Sequence, residues 1–378
     1  MEDIPQDEPL PHAGSATPNM TGLPTLPIEL LLEIIDYFAE VTPMTPEAEL
    51  YIYPSPPTYV ERRSALASLT RTCRSLRGKV LPLLWKDVQA FASTKSIRTK
   101  SWRGSWREWR QNVNLRLICQ CLMLLEVPTI AQYVETVTIA LTDFSTDALP
   151  LFASTLSRLP NLKTLHIVHL AYDCYHLLNV FEAQNLSTVT TMVLPVVPLS
   201  AGALLRSCPN VEHFVCNSQL DAASHSRRLN TSFLALLRYT WPKLRTLRGF
   251  PITSADELTP LVSRCPSLEH LWVRVDDTAE LAGDGQDQNA RYPVVIGRLR
   301  NASRLRSVRL DFQTANADLI IASLSAVSPL LSGPLPPREP RMDVYLRSAL
   351  DDGASLTRIR AALAPGSRVH LQADNPIK

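Results

Sequence analysis

Pro160-Asn-Leu-Lys-Thr-Leu-His-Ile167 carries the pattern on which the fold depends: an apolar residue, two polar or small residues, then an apolar–x–apolar triplet. The triplet Leu165-His-Ile167 predicts a short strand with two inward side chains, since successive side chains of a strand alternate between its faces. The apolar segment before it, Leu149 to Leu159, predicts a helix that covers the other side. Such a unit cannot bury its own apolar faces, so it must stack on neighbours.

The same pattern recurs along the chain at intervals of 22 to 37 residues, which indicates a repeat architecture. Its copies begin at Val134, Leu162, Val189, Val211, Leu244, Leu268 and Leu305. Four copies have a proline two residues upstream: Pro160, Pro209, Pro242 and Pro266. Further apolar segments predict helices at Leu199 to Cys208, Phe233 to Tyr239 and Leu258 to Cys265. A strand, a helix and a strand at Met342 to Leu346, Ser355 to Leu363 and Arg368 to Leu371 would complete a terminal unit.

Ahead of the repeats, three apolar segments predict three short helices. The first is Leu26-Pro-Ile-Glu-Leu-Leu-Leu-Glu-Ile-Ile35, in which the proline suits a first helical turn because its missing N–H costs nothing there. The second has one apolar face at spacings of three and four, formed by Leu66, Leu69, Cys73, Leu76 and Val80. The third is Leu81-Pro-Leu-Leu-Trp-Lys-Asp-Val88.

These three segments together resemble an F-box, in the form common in fungi. The resemblance rests on Leu26-Pro27-x-Glu29-Leu30 with Ile34-Ile35, on Leu69-x-x-Thr72-Cys73-Arg74-x-Leu76-Arg77, and on the closing Leu84-Trp85. It implies a trihelical module that docks on a Skp-family adaptor of a cullin–RING ubiquitin ligase. The chain departs from the usual pattern by a proline-rich insertion, residues 41–61, between the first two helices.

The repeats in turn resemble the degenerate leucine-rich repeats that often follow fungal F-boxes, although they lack the Asn or Cys that usually follows the strand. The fold class expected is α/β: an N-terminal trihelical F-box-like module followed by an irregular leucine-rich-repeat-like strand–helix solenoid. The alternative is a set of isolated strands in another kind of α/β domain.

The domain map follows from these segments. Residues 1–22 predict a disordered leader, 23–90 the F-box-like module, and 91–127 a basic, tryptophan-containing linker with a first solenoid helix. The solenoid would span 128–378, interrupted by loops at 276–290 and 331–341 that are rich in polar residues, glycine or proline.

Composition narrows the class of protein. The 378 residues carry 38 Lys+Arg against 36 Asp+Glu, so no general attraction to nucleic acid or to an anionic membrane is expected. Seven scattered cysteines favour a reducing compartment over a disulfide framework. With no secretory signal and no spanning segment, the location expected is cytoplasmic or nuclear.

Two other features suggest chemistry only weakly. Trp102, Trp106 and Trp109 interleave with basic residues, as in single-strand nucleic-acid binding, but their spacing of four and three fits one packed helix face better. His166, His169, Cys174 and His176 match no tight zinc pattern. Phosphate-binding glycine loops and hydrolase or metalloprotease motifs are absent from the sequence, so no cofactor, no metal and no catalytic residue are expected.

The function expected is that of a non-enzymatic substrate receptor of an SCF-type ubiquitin ligase; the alternative is a scaffold that uses the same helices and repeats without a ligase. The partners would be a Skp-family adaptor, through it a cullin–RING ligase, and a protein substrate, with no nucleic acid and no membrane. By the resemblance, the adaptor-binding residues are Leu26, Pro27, Leu30, Ile34, Leu81, Leu84 and Trp85.

The substrate surface is predicted on the strand residues that flank the inward pairs. In the early units these residues are small or neutral: Thr136, Thr138, Ala140, Thr164, His166 and Val168. In the late units they form a basic surface with one aromatic residue: Arg248, His270, Trp272, Arg274 and Arg309. Trp and Arg are enriched at binding hot spots, so one expectation is an exposed Trp272 that binds an acidic or phosphorylated target segment. The alternative is a Trp272 covered by the loop 276–290 or by a neighbouring repeat.

Overall fold

A computed structural model describes residues 26–37, 57–91, 102–175, 178–195, 201–216, 239–252, 258–275, 304–312, 321, 341–346, 357–358, 361 and 369–373. The predicted leader 1–22, the loop 276–290, nearly all of the loop 331–341 and of the helix Phe233 to Tyr239, and insertion residues 41–56 lie outside this part of the chain. The chain divides into two compact units, Met1–Val41 with Pro56–Leu84, and Thr42–Ser55 with Trp85–Lys378.

The first unit contains helices α1 (Ile28–Asp36), α2 (Pro57–Thr72) and most of α3 (Arg74–Lys86). They share one apolar core, to which α1 contributes two residues, α2 one and α3 two: Leu31, Ile35, Leu66, Leu76 and Val80. The predicted insertion is therefore too long by five residues, because α2 already begins at Pro57. Proline fits that first position since its φ is preset for a helix.

The predicted single helix face from Leu66 to Val80 is wrong in one respect: the helix is interrupted at Cys73. Near the end of α2 the hydroxyl of Thr72 bonds back to the carbonyl of Leu69 at 2.8 Å, an alternative to continued helix. The Cys73 thiol then accepts the N–H of Leu76 at 3.5 Å, so Cys73 acts as the N-cap of α3. α3 in turn runs through Pro82, so the predicted second and third helices overlap in one element.

The second unit is built on a parallel sheet of ten strands arranged in chain order. The strands are β1 (Asp87–Ala90), β2 (Thr136–Leu141), β3 (Thr164–Leu170), β4 (Thr191–Leu194), β5 (His213–Cys216), β6 (Thr246–Ile252), β7 (His270–Val275), β8 (Ser307–Phe312), β9 (Arg341–Leu346) and β10 (Val369–Ala373). Nine of them confirm predicted strands. The first, β1, was missed: Val88 was assigned to a helix, but it pairs with Val137 of β2.

Helices connect the strands where the structure describes the connections. They are α4 (Trp102–Glu126), α5 (Pro128–Ala131), α6 (Leu149–Leu156), α7 (Tyr172–Tyr175), α8 (Gly202–Ser207) and α9 (Leu258–Arg264), with 3-10 turns at Asp143–Ser145 and Leu178–Phe181. The helices predicted at Leu149, Leu199 and Leu258 are confirmed, with slightly different ends. None of the described helices is long and apolar enough to cross a bilayer.

Inward residues of the strands and helices form the core of the sheet unit. Phe152 of α6 meets Phe181 edge-on, with ring centroids 6.2 Å apart. Farther along the sheet, Phe214 of β5 contacts Trp241 and Phe250 with centroids 6.1 and 5.5 Å apart. Of these residues, Phe214 is at an inward position that a triplet predicted, whereas Phe250 lies one residue beyond its triplet, because the register of β6 shifts between Arg248 and Phe250.

A row of residues of largely alternating charge lies immediately before strands β1 to β8, one residue per strand, and we call each of these residues a rung. Each rung donates its N–H to the carbonyl of the previous rung, and the rungs in order are Lys86, Glu135, Lys163, Thr190, Glu212, Arg245, Glu269 and Arg306. Three neighbouring pairs are salt bridges: Lys163–Glu135 at 3.2 Å, Arg245–Glu212 at 3.8 Å and Arg306–Glu269 at 3.4 Å. Thr190 is neutral and lies between the positive Lys163 and the negative Glu212. A charge of either sign at this position would therefore repel one of its two neighbours. We call this series the charge ladder.

Candidate functional site

Helix α1 presents apolar side chains in two different directions, about 100° apart around its axis. Leu31 and Ile35 are buried, with 1% and 2% of their surface exposed, whereas Leu30 and Ile34 are 46% and 43% exposed. Tyr37, three residues beyond Ile34, is 85% exposed. Leu30, Ile34 and Tyr37 follow the four- and three-residue spacing of one helix face, and we call them the α1 stripe.

The start of α1 is held in place from a distant part of the chain. The Lys79 ammonium of α3 donates a hydrogen bond to the carbonyl of Leu26 at 2.8 Å, 53 residues away. The carbonyl of Pro27 accepts the N–H of Leu31 at 3.2 Å and so closes the first turn. The Leu26-Pro27 pair therefore sets where α1 begins, and with it the direction of the α1 stripe.

The predicted adaptor residues differ in accessibility. Pro27 is exposed like Leu30 and Ile34, whereas Leu26, Leu81 and Leu84 are half-buried. Trp85 is buried, with 6% of its surface exposed, and lies where the second unit begins. Its side chain is therefore part of a packed interior. Tyr37 was missed, although its spacing from Ile34 could have revealed it.

The predicted substrate residues lie on one face of β5 to β8. A first row across these strands contains His213, Thr246, His270 and Ser307, and a second row contains Val215, Arg248, Trp272 and Arg309. Parallel strands are about 4.8 Å apart, so members of a row are immediate neighbours. We call these eight residues the late-strand surface. Arg274 is in register with Asp311 of β8, beyond the second row, and its side chain is outside the described part.

Hydrogen bonds between neighbouring strands order the first row. His213 Nδ1 and Thr246 Oγ1 are 3.0 Å apart, and His270 Nδ1 and Ser307 Oγ are 2.7 Å apart. Burial lowers the pKa of His213, and the positive charges of Arg248, Arg245 and His270 act in the same direction, against the opposing effect of Glu212. His213 is thus neutral at physiological pH, and Arg248, Arg245 and His270 are among its basic neighbours.

The second row combines a stacked pair with an exposed arginine. The guanidinium of Arg309 lies 3.6 Å from the centroid of the Trp272 ring, a cation–π contact. Trp272 is therefore not fully exposed: the indole is half-buried and Arg309 on β8 covers one of its faces, in agreement with the alternative of cover by a neighbouring repeat. Arg248, in contrast, is exposed.

The same face is closed in the early units, contrary to the expectation of one open surface. Thr138, Ala140, His166 and Val168 are all buried. Small side chains such as Thr138 are flanked in register by the larger Gln89 and His166, and α4 contacts both β1 and β2. Burial lowers the pKa of His166 to about 4, so its imidazole is neutral.

Three buried cysteines of the sheet unit have thiols that are difficult to ionise. Burial raises the pKa of the Cys208 and Cys265 thiols to about 12. The Cys174 thiol has its pKa raised to about 12 by burial and by the nearby carboxylates of Asp173 and Asp143. These thiols are protonated at neutral pH and form part of the interior. No three His, Cys, Asp or Glu side chains of the described residues converge as metal ligands would.

Comparison with family models finds no family that matches the chain, and comparison with curated proteins finds no match either. We therefore infer a function from the resemblance of the N-terminal helices to an F-box, from the α1 stripe and from the late-strand surface.

Proposed function

We propose that this chain is a non-catalytic substrate-recognition subunit of a cullin–RING ubiquitin ligase. Its N-terminal helices would form an F-box-like module that binds a Skp-family adaptor. Its strand–helix units would form a leucine-rich-repeat-like solenoid that binds a protein substrate. The sequential order of the parallel strands, each paired with the next strand in the chain, supports a stacked repeat.

The observation that carries the adaptor proposal is the two-sided character of α1. Leu31 and Ile35 stabilise the helical core, whereas Leu30 and Ile34 contribute little to it and remain exposed. A stripe of large apolar residues on a short helix is costly to leave in water and is typical of a protein-binding helix face. The resemblance to an F-box assigns the same two residues to adaptor binding.

Catalysis would then be by proximity. A receptor that holds the substrate near a charged conjugating enzyme raises the effective concentration of the target lysine, and it needs no reactive group of its own. The substrate side would use the late-strand surface, where an exposed Arg248 and a fixed Trp272–Arg309 pair supply the residue types enriched at hot spots.

The test compares neighbouring residues of the same type on α1. Leu30→Ala combined with Ile34→Ala should lower the affinity for a purified Skp-family adaptor at least about 30-fold, as expected when hot-spot contacts worth about 2 kcal/mol are lost. Stability should change by only about 0.5 kcal/mol, because both side chains are exposed. The measurement is titration calorimetry together with denaturant unfolding.

Two control variants make the comparison decisive. Leu31→Ala should instead cost about 2–5 kcal/mol of stability by opening a cavity in the helical core. Leu122→Ala on α4 removes a leucine whose exposed fraction, 44%, is similar to the 46% of Leu30, and it should leave adaptor affinity unchanged. If the folded α1 double variant binds adaptor like the unchanged chain, the adaptor proposal fails. If adaptor binds but cullin does not co-purify, the scaffold function replaces the ligase.

A further inference from the structure

Among the residues that the structure describes, Arg248 of the late-strand surface has no acidic partner. Three of the four basic rungs of the charge ladder are in salt bridges: Lys163 with Glu135, Arg245 with Glu212 and Arg306 with Glu269. Arg248 makes no ion pair or side-chain hydrogen bond to any residue that the structure describes, although it sits among these elements. An exposed guanidinium without an acid partner retains all of its donors for a ligand.

The neighbours of Arg248 favour an ordered binding site. In register, Arg248 lies between Val215 and Trp272 on the two adjacent strands. His270, at the start of the adjacent strand, is exposed and linked to Ser307 at 2.7 Å. Imidazole and hydroxyl groups near a guanidinium supply the additional donors that an anionic oxygen group needs.

Below this surface, a bulge sets the position of Arg248. Gly249, the next residue, has φ +77 and displaces the register of β6 between Arg248 and Phe250. Phe250 is anchored in the core against Phe214, with ring centroids 5.5 Å apart. The arginine is thus presented from a fixed part of the sheet.

We propose that Arg248, with His270 beside it, binds an anionic oxygen group, phosphate or carboxylate, on a protein segment. The inference rests on the proposed function only insofar as that segment belongs to the substrate. The Trp272–Arg309 pair would act as a preformed wall of the site, because the stacking already fixes both side chains.

A protein segment fits this surface better than a nucleic acid. Single-stranded nucleic acid is bound by several phosphate-contacting cations together with aromatic faces on which bases stack. Here one face of Trp272 is occupied by Arg309, and the ladder cations are paired with acids. The whole chain carries a net charge of only +2. One local cation suits one anionic side chain.

The experiment uses the purified full chain and three immobilised peptide libraries with randomised flanks around a central phosphoserine, glutamate or serine. We expect retention on phosphoserine, glutamate or both to exceed retention on serine. Arg248→Gln should lower that retention at least about tenfold, since two or more charge-assisted hydrogen bonds are lost. Preference for phosphoserine over glutamate identifies phosphate as the group, and equal retention on these two identifies the anionic charge shared with carboxylate.

The matched control is Arg245→Gln, which removes an exposed arginine three residues earlier that is already paired with Glu212 at 3.8 Å. It should change retention by less than about twofold, because the lost cation was not available to a ligand. Equal retention by Arg248→Gln and the unchanged chain would overturn the proposal, as would equal retention on all three libraries. If the chain binds a single-stranded RNA pool more tightly than the peptides, and if this binding depends on Arg248, the proposal of a protein ligand is wrong.

Adaptor binding measured on the same preparations separates this inference from the proposed function. Arg248→Gln should bind the adaptor as the unchanged chain does, because the substitution lies outside the helical unit. If the unchanged chain binds anionic peptides but no adaptor, the receptor role fails and the anion site stands. If it binds adaptor but no anionic peptide, the site fails and the receptor role stands.

Discussion

Among the glycines whose surroundings the structure describes, Gly249 is the one whose replacement by alanine should destabilise the protein most. The residue has φ +77, a conformation that costs an L-residue about 1–2 kcal/mol. An added Cβ would also overlap the backbone carbonyl oxygen of Cys216 on β5. Because that atom belongs to the main chain of a paired strand, it cannot move aside without disturbing the sheet.

The two effects together predict a loss of about 3 kcal/mol or more in the free energy of unfolding. At about 2 °C per kcal/mol for a unit of this size, the midpoint of thermal unfolding should fall by about 6 °C. Arg248 is adjacent to the bulge, so binding of anionic peptides should weaken as well.

Other substitutions separate the conformational cost from the collision. Gly249→Asn has the same Cβ as Gly249→Ala, but asparagine tolerates positive φ better. It should therefore recover, relative to Gly249→Ala, only the part of the lost stability that comes from the backbone conformation. Gly202→Ala meets the hydroxyl end of the Tyr239 side chain, which can shift, and should cost less. Gly78→Ala places its Cβ in open space within α3 and should stabilise by about 0.5–1 kcal/mol.

The assay is differential scanning calorimetry of the full chain, with denaturant unfolding followed by far-ultraviolet circular dichroism. A Gly249→Ala protein as stable as the unchanged chain would show that β6 does not need the positive φ. The order of the glycine variants is a stricter criterion, because general loss of expression or solubility would not reproduce it.

Two further predictions concern charge. Glu269→Lys places a cation between Arg245 and Arg306 and should lower the free energy of unfolding by about 1 kcal/mol at low salt and by less at 1 M salt. Thr190→Lys gains one attraction and one repulsion, so it should change the free energy of unfolding by less than about 0.5 kcal/mol. Equal effects of the two variants in salt-dependent denaturation would contradict the charge ladder. In the folded protein burial lowers the pKa of His166 to about 4, whereas its ordinary pKa is 6.5. The unfolded chain therefore binds the proton first, and stability present in full above pH 6.5 should be lost as the pH falls toward 4, by at most about 3 kcal/mol. His166→Met should remove that part of the pH dependence. If the free energies of unfolding of the two proteins change in parallel from pH 7 to 4, His166 is not the cause of the loss.

Local sequence patterns were sufficient for most of the secondary structure. The triplet around Leu165 and its copies predicted seven of the strands, because an inward pair separated by one residue is a property of the strand itself. The helix near Leu149 followed from apolar periodicity in the same way. Elements whose stability depends on a distant partner were harder. Asp87–Ala90 has no distinctive alternation and became a strand through pairing with β2.

For the functional surfaces, the sequence alone determined which residue types are present and how they are spaced. The sequence thus placed Leu30 and Ile34 on one side of a helix and put Arg248, His270 and Trp272 on neighbouring strands. Only the tertiary structure decided what remains accessible. It buries Trp85, closes the face around His166 and covers one side of Trp272 with Arg309. The physical reason is that periodicity is a property of one segment, whereas burial and pairing depend on what another segment brings within a few ångströms.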